Sequence, residues 1–349
     1  MHHNYILEQD NKYIRRCLEL AQNGNGFVAP NPMVGAVLVY NDVIIGEGYH
    51  EIYGGPHAEV NCLNSVKPDD RDKINQSTLY VNLEPCNHFG KTPPCTELIL
   101  KNNIKKVVIG TTDLHQLVSG KGIKRLEENG VETHVGVLEK ECRQLNEVFF
   151  KFQLNKRPFI TLKWAESNDG FIGKPNENIR ISNDLTQRHA HQLRAYNMAI
   201  LVGKNTVITD NPSLNTRYFP GKNPIVCIID SNLEIPSSQK LFGEAKRIFI
   251  YNLQKTETIE NVSYVGLNNK RDLVTQVCEH LYREQITNLL VEGGSITLQH
   301  FIDNNLWDKA IIYKSFKNIS NGIFSPIIKG HRVETFNLDD NKVETLCSI

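Results

Sequence analysis

The sequence predicts a two-domain α/β protein, and three observations carry that expectation. The chain has 349 residues, enough for two cores of ordinary size. β-rich runs alternate with helical runs through both halves. The alternation pauses at a short polar link, Asn155-Lys156-Arg157, so the first domain is placed at residues 1–154 and the second at 158–349.

In the first domain, Ile14, Cys17, Leu18 and Ala21 recur at i, i+3, i+4 and i+7 within residues 11–23, and Gly24 and Gly26 follow them. This is an amphipathic helix with a glycine stop. Residues 34–40 and 43–45 flank the two-residue turn Asn41-Asp42 and read as a hairpin. Pro56 opens a helix at its first position and places His57 and Glu59 in the first turn, where backbone N–H groups have no helical acceptor. A strand at 78–83 delivers Cys86 just past its end, and Pro93-Pro94 opens the next helix with Cys95 in its first turn. A strand at 105–111, a helix at 120–129, a strand at 132–137 and a helix from about 139 to 154 complete a layered sandwich.

The second half begins with a strand at 158–164 and a turn at 167–170, then a helix to Tyr196 that Asn183 or Asp184 can cap. Residues 199–203 read as a buried strand, 203–210 as a polar connection, and Asn211-Pro212 as a break. Strands at 224–229, 247–251, 262–266, 288–292 and 309–313, with helices near 270–284 and 295–303, predict a mainly parallel sheet. Leu289 to Gly294 runs a strand into two glycines before a Ser-led helix. Such a turn lets a phosphate approach the backbone at a helix start. Tight packing would also place glycines there, and the six-residue dinucleotide fingerprint is missing.

Composition narrows the class. Lys plus Arg and Asp plus Glu both number 39, so no broad basic field awaits a polynucleotide, and no nucleic-acid partner is expected. Apolar runs are strand-sized, and the N-terminus lacks a basic segment followed by an apolar stretch. The expectation is a soluble cytoplasmic protein acting on a small molecule, away from membranes. Of the eight cysteines, the six other than Cys86 and Cys95 read as small buried hydrophobes in a reducing compartment. Self-association into a homo-oligomer is compatible with the sequence but not specified by it.

His57-Ala-Glu59 and Pro85 to Cys95 offer one imidazole and two thiols to a Zn²⁺ ion, with a carboxylate two residues from the imidazole. Three protein ligands leave a fourth tetrahedral position open, as in a catalytic site. Two thiolates neutralise the metal's charge, so a nearby base is useful, and Glu59 stands where the zinc deaminase signature puts its proton shuttle. The two cysteines are separated by eight residues rather than the usual two, and Gly90, Pro93 and Pro94 supply the turn. A structural zinc knot with His88 as fourth ligand is the rival, and it leaves Glu59 without a role.

Asn31-Pro-x-Val-Gly-Ala-Val37, Gly46-Glu-Gly-Tyr-His50, Gly55-Pro-His-Ala-Glu59 and Glu84-Pro-Cys-x-His-x-Gly-Lys-Thr-Pro-Pro-Cys95 resemble the deaminase half of the bifunctional riboflavin-biosynthesis deaminase-reductases. The resemblance spans nearly all of residues 10–150 and implies a cytidine-deaminase-like sandwich that hydrolyses the 2-amino group of a diamino-ribosylaminopyrimidinone 5′-phosphate. It makes His57, Cys86 and Cys95 the ligands of one zinc and Glu59 the proton shuttle. It also implies Asn31 as a pyrimidine contact, and His50, His88 and Lys91 as groups near the ribose phosphate. An ammonium among turn residues suits a phosphate dianion. Taken alone, His50 and His88 would read as surface or packing histidines.

Lys163-Trp-Ala-x-Ser-x-Asp-Gly170, Leu193-Arg-Ala195, Gly203-x-x-Thr206-x-x-x-Asp210-Asn-Pro212 and Val291-Glu-Gly-Gly294 resemble the same family's reductase half. That half is dihydrofolate-reductase-like in fold and uses NADPH to reduce a ribosyl side chain to ribityl. The resemblance assigns Ala165, Thr206, Asp210, Gly293 and Gly294 to the cofactor, and Arg194, Leu214, Arg217 and Glu292 to the substrate. Two arginines suit one phosphate monoester through forked hydrogen bonds. The chain departs from the family at Asn178-Ile-Arg-Ile-Ser182, where Arg180 stands in place of a Trp. Arg180 is assigned to the cofactor, by stacking or by meeting a 2′-phosphate, and Asn178 to the substrate. The rival functions are a nucleic-acid deaminase with an α/β binding domain and a zinc-stabilised scaffold without chemistry.

Overall fold

The computed structural model describes residues 2–87, 93–113, 120–175, 177 and 179–349, with side chains from Glu8 onward. The chain divides into two compact units, Met1–Asn155 and Lys156–Ile349.

The first unit runs α1 (His2–Gln22), β1 (Gly35–Tyr40), β2 (Val43–Tyr49), α2 (Ala58–Asn64), a 3-10 helix (Pro68–Gln76), β3 (Thr78–Leu83), α3 (Cys95–Lys101), β4 (Lys106–Thr111), α4 (Lys121–Glu127), β5 (Glu132–Val135), α5 (Glu139–Leu145) and α6 (Glu147–Asn155). Its five strands order as β2-β1-β3-β4-β5. β1 is antiparallel to β2 and β3, whereas β3, β4 and β5 are mutually parallel. The period-two alternation of β1 splits the core into two layers. Ala36 and Leu38 pack with Cys62 of α2, Ile99 of α3 and Leu126 of α4. Val37 and Val39 pack on the opposite face with Tyr13, Ile14 and Cys17 of α1 and Cys142 of α5.

Two details of this unit position chemistry. A Cβ at Gly48 would stand 2.3 Å from the backbone N of Cys62, so only glycine lets α2 lie this close to β2. The helix expected from 139 to 154 is broken at Asn146, whose side chain leaves the helical pattern to hold the loop before β1. Asn146 Oδ1 accepts from Met33 N at 2.8 Å, and its Nδ2 donates to Met33 O at 2.9 Å.

The second unit runs β6 (Phe159–Glu166), β7 (Phe171–Gly173), α7 (Asp184–Tyr196), β8 (Ala199–Gly203), α8 (Lys204–Asp210), β9 (Ile225–Ile229), α9 (Lys240–Glu244), β10 (Ile248–Asn252), β11 (Glu257–Ile259), β12 (Val262–Gly266), α10 (Leu273–Arg283), β13 (Asn288–Gly293), α11 (Ser295–Asp303), β14 (Lys309–Ser315), β15 (Ile323–Phe324), β16 (His331–Leu338) and β17 (Asn341–Cys347). Ten strands form one sheet in the order β11-β12-β10-β9-β8-β13-β6-β14-β17-β16. From β12 to β14 the pairing is parallel, and it turns antiparallel at both edges. Both faces are covered, as a parallel sheet requires. Leu289 and Val291 point into one core and Leu290 into the other.

Several elements were not legible in the sequence. The hairpin of β16 and β17 escaped because β16 is exposed along most of its length and carries charges where a core strand would alternate. The polar connection after Gly203 is α8, and its polar side chains are those of an exposed helix face. Arg157, read as part of a short polar link, forks onto buried Asp308. Its Nη1 and Nη2 donate to Oδ2 and Oδ1 at 2.6 and 3.0 Å, and Asp308 also accepts from Ile160 N at 2.8 Å.

Two candidate active sites, one in each unit

His57 is the N-cap of α2, with extended backbone at φ −73° and ψ 165°, and not a residue of its first turn. The helix begins two residues later than Pro56 suggested, at Ala58, and extended backbone at the N-cap carries the imidazole clear of the helix barrel. Cys95 does open α3, with Pro94 as its N-cap. Cys86 follows β3, and together His57, Cys86 and Cys95 place their donor atoms within 4.8 Å of one another. His57 Nδ1 lies 3.5 Å from Cys86 Sγ and 3.3 Å from Cys95 Sγ. The N–S edge of a zinc tetrahedron with Zn–N near 2.0–2.1 Å and Zn–S near 2.3 Å is about 3.5 Å. The donor set therefore fits zinc in both chemistry and spacing, with Nδ1 as the ligand nitrogen.

The electrostatics of the cluster point the same way. The Cys86 thiol is held down to about 4, first by its hydrogen bond with the Cys95 thiol, against the effect of burial and with help from His57. Cys95 is pushed up by that same shared proton and by burial. A thiolate and a thiol sharing one proton form a site from which a divalent cation displaces that proton. Glu59 is 3% exposed, and burial first, then the Cys86 charge, raises its carboxyl above the ordinary range.

Asn31 and His50 meet in the structure. His50 Nδ1 donates to Pro56 O at 2.9 Å, because a carbonyl only accepts, so in the neutral ring Nε2 is an acceptor. Asn31 Nδ2 lies 3.1 Å from that Nε2 and donates to it. Burial lowers the His50 pKa and keeps this neutral arrangement. His50, expected near a ribose phosphate, is 3% exposed with both ring nitrogens occupied. The expected contacts His88, Lys91 and Asn178 lie outside the described residues.

In the second unit β13 ends in Glu292-Gly293, and Gly294 caps α11. Gly293 has φ 119°, a conformation that favours glycine, and the peptide joining it to Gly294 is cis. A Cβ at Gly294 would stand 3.4 Å from Thr206 Oγ1, so the bare face of this glycine opens toward α8. Two glycines, a threonine hydroxyl and the free N–H groups of a helix start fit a dinucleotide phosphate at the carboxyl edge of a parallel sheet. Ala165 lies on β6, paired with Tyr313 of β14. Asp210 closes α8 with an exposed side chain, and among the described residues no hydrogen bond or ion pair joins it to Thr206 or the glycines. Arg180, expected against the cofactor, is committed elsewhere. Its Nε donates to Ser182 O at 3.0 Å and its Nη2 bonds to Asp184, beside the α7 cap where Asn183 Oδ1 accepts from Thr186 N.

The substrate-side residues are arranged differently from a simple phosphate clamp. Arg194 is forked onto Glu292, with Nε to Oε1 at 2.8 Å and Nη2 to Oε2 at 2.7 Å. Leu214 is 3% exposed in the core, so only its backbone can face a ligand. Arg217 is exposed, with Nη1 on Asn215 Oδ1 at 2.9 Å. Burial alone would raise the Glu292 carboxyl, but the charges of Arg194 and Lys163 overcome it and hold the group at about 2.

Sequence reasoning missed Lys163 and His191 as members of this site. Lys163 Nζ lies 3.7 Å from Glu292 Oε2, and burial lowers its pKa. The strand pattern alone gives its position but not its company, which depends on β6 pairing with β13. His191 is 1% exposed and held at about 4, by burial first and then by Arg194 and Arg217.

Comparison with known proteins matches one family profile within each unit. Residues 158–348 match the family profile of the RibD C-terminal domain, and residues 7–111 match the cytidine and deoxycytidylate deaminase zinc-binding region. The chain is similar to the riboflavin biosynthesis protein RibD of Aquifex aeolicus, with 40% identity over 91% of this chain and 90% of that protein. It is also similar to RibD of Escherichia coli, with 32% identity over 87% of each. Among solved structures, a diaminohydroxyphosphoribosylaminopyrimidine deaminase/5-amino-6-(5-phosphoribosylamino)uracil reductase of Thermotoga maritima superposes with a TM-score of 0.89 at 33% identity, covering 98% of this chain and 99% of that one. Acinetobacter baumannii RibD gives a TM-score of 0.87 at 28% identity, with 98% and 99% covered.

Proposed function

The chain belongs to the RibD family of bifunctional riboflavin-biosynthesis proteins, a zinc deaminase joined to an NADPH-dependent oxidoreductase, and on that premise we propose how its residues divide the work. Deamination is assigned to the first unit and reduction to the second. The substrate is a diamino-ribosylaminopyrimidinone 5′-phosphate, which loses its 2-amino group as ammonia before its ribosyl chain is reduced to ribityl. The observation that carries this reading is the coexistence, in one chain, of a His57–Cys86–Cys95 cluster beside buried Glu59 and a Gly293-Gly294 turn facing Thr206.

In the first unit His57, Cys86 and Cys95 would hold zinc, which supplies a Lewis acid able to make water nucleophilic near neutral pH. Glu59 takes a proton from the attacking water and delivers it to the departing amino group, so nitrogen leaves as ammonia. Its raised pKa suits a group that must both accept and return a proton. Neutral His50 anchors the Asn31 amide through Nδ2 and leaves Oδ1 to accept from the pyrimidine. His50 is thus assigned to holding Asn31, while His88 and Lys91 remain the proposed contacts to ribose phosphate.

In the second unit Thr206, Gly293 and Gly294 would seat NADPH, which supplies the reducing equivalents. Converting ribosyl to ribityl also requires a proton, and buried Lys163, paired with the Glu292 carboxylate beside Gly293, is the group placed to provide it. Arg194 fixes the Glu292 carboxylate, and Arg217 is left to meet the phosphate. Ala165 and Asp210 keep their proposed places on the cofactor side, and Asn178 and the Leu214 backbone on the substrate side. Arg180, tied to Asp184, is assigned to the α7 cap. The cytoplasm is the inferred compartment, supported by eight cysteines that form no disulfide. Among the described residues no helix is long and apolar enough to cross a membrane.

The test is incubation with the diamino substrate and NADPH while ammonia release and NADPH oxidation are followed together. Ammonia appearing first, followed by NADPH oxidation that depends on it, is the expected result. NADPH oxidation without prior ammonia release would reverse the proposed order.

A further inference from the structure

The loop after α8 holds Arg217 in place without burying it. Leu214 is anchored in the core, and Thr216 is 6% exposed, its N and Oγ1 both donating to Asn223 Oδ1 at 3.0 and 2.8 Å. Between these anchors Asn215 faces both arginines. Its backbone O accepts from Arg194 Nη1 at 3.3 Å, and its Oδ1 accepts from Arg217 Nη1 at 2.9 Å. One face of the Arg217 guanidinium lies over the Tyr218 ring, with Cζ 4.9 Å from the centroid. The Tyr218 ring in turn meets the His191 ring at 4.8 Å between centroids and 70° between planes, an edge-to-face contact.

We propose that Tyr218 is a positioning residue for Arg217, a platform braced by buried His191 on which the guanidinium waits in the orientation set by Asn215. The inference deepens the reading of Arg217 as the phosphate contact and rests on it. An exposed arginine ordinarily loses rotamer freedom when it binds, and that loss opposes binding. A ring face beneath the guanidinium and an amide oxygen at its edge remove much of that freedom beforehand, with a modest cation–π attraction in addition. The brace does not repel its cargo, because His191 is neutral among the charges of Arg194, Arg217 and Lys163. His191 Nδ1 has no hydrogen-bond partner among the described residues, so ring contact is what fixes this imidazole against Tyr218.

The experiment uses full-length, zinc-loaded enzyme reducing already-deaminated substrate with NADPH, with and without the 5′-phosphate. Tyr218→Leu is expected to raise KM for the phosphorylated substrate roughly two- to fivefold, with kcat and the KM of the phosphate-free substrate unmoved. Tyr218→Phe keeps the ring and should restore the wild-type KM, and Tyr218→Leu should add nothing in an Arg217→Ala background. Equal KM increases for both substrates, a fall in kcat, or failure of Tyr218→Phe to restore would overturn the proposal. If Arg217→Ala loses phosphate preference and Tyr218→Leu keeps it, the platform alone is wrong. If both variants keep it, the reading of Arg217 falls as well.

Discussion

Arg194 of α7 and Glu292 of β13 form a two-pronged pair, Nε to Oε1 at 2.8 Å and Nη2 to Oε2 at 2.7 Å, with both side chains mostly buried. The pair changes what Arg194 is expected to do. Its guanidinium shapes Glu292 before any ligand arrives, and removing it leaves a buried carboxylate whose remaining ion-pair partner among the described residues is Lys163 at 3.7 Å.

Arg194→Ala is therefore expected to destabilise the second unit by about 3–5 kcal/mol, the usual effect of breaking a buried pair from one side. Reduction should weaken for phosphorylated and phosphate-free substrates alike, since the defect lies in Glu292. Chemical denaturation and paired substrate kinetics check this, and a loss confined to the phosphorylated substrate would return Arg194 to phosphate binding.

Glu59→Gln should retain zinc and lose deamination by roughly a hundredfold or more, because an amide cannot take the proton of water and pass it on. Ligand geometry is set by His57, Cys86 and Cys95, so metal content is the control. Near-normal zinc with deamination within tenfold of wild type would remove Glu59 from its role.

Chelation should abolish ammonia release and leave reduction of already-deaminated substrate in place. The three proposed ligands lie in Met1–Asn155, whereas Thr206, Gly293 and Gly294 lie in Lys156–Ile349. Circular dichroism before and after chelation provides the folding control. Folded protein whose NADPH-dependent activity falls in proportion to its zinc would contradict this division.

Stability should also depend on pH through His191. Its folded pKa is lowered from 6.5 to about 4, so the unfolded chain takes up a proton first as pH falls. The contribution is complete above 6.5 and is lost progressively between 6.5 and about 4, at most about 3 kcal/mol. Denaturation midpoints of wild type and His191→Gln across that window isolate this group, because His50, His189 and His280, also lowered, titrate in both proteins. Parallel pH curves for the two would show that His191 contributes nothing.

Local chemistry by itself made the zinc cluster legible. His57, Glu59, Cys86 and Cys95 announce themselves through residue type and spacing, and Pro94 before Cys95 marks the helix start that presents the ligand. The strand-and-helix alternation likewise determined the α/β class and most central strands, because buried parallel strands are continuous apolar runs. Tertiary structure alone decided which polar groups meet. The partners of Arg194, Lys163, Arg180 and His50 are set by sheet order and helix placement, and a motif names a residue without naming what already occupies its hydrogen bonds. Tertiary structure also gave Asn146 and Met33 a shared role across 113 positions, and it set exposed Tyr218 between Arg217 and His191. Sequence spacing carries information about neighbours within a turn or a strand, whereas contacts between distant segments arise only when hydrophobic burial has closed the layers and left each polar side chain its few remaining partners.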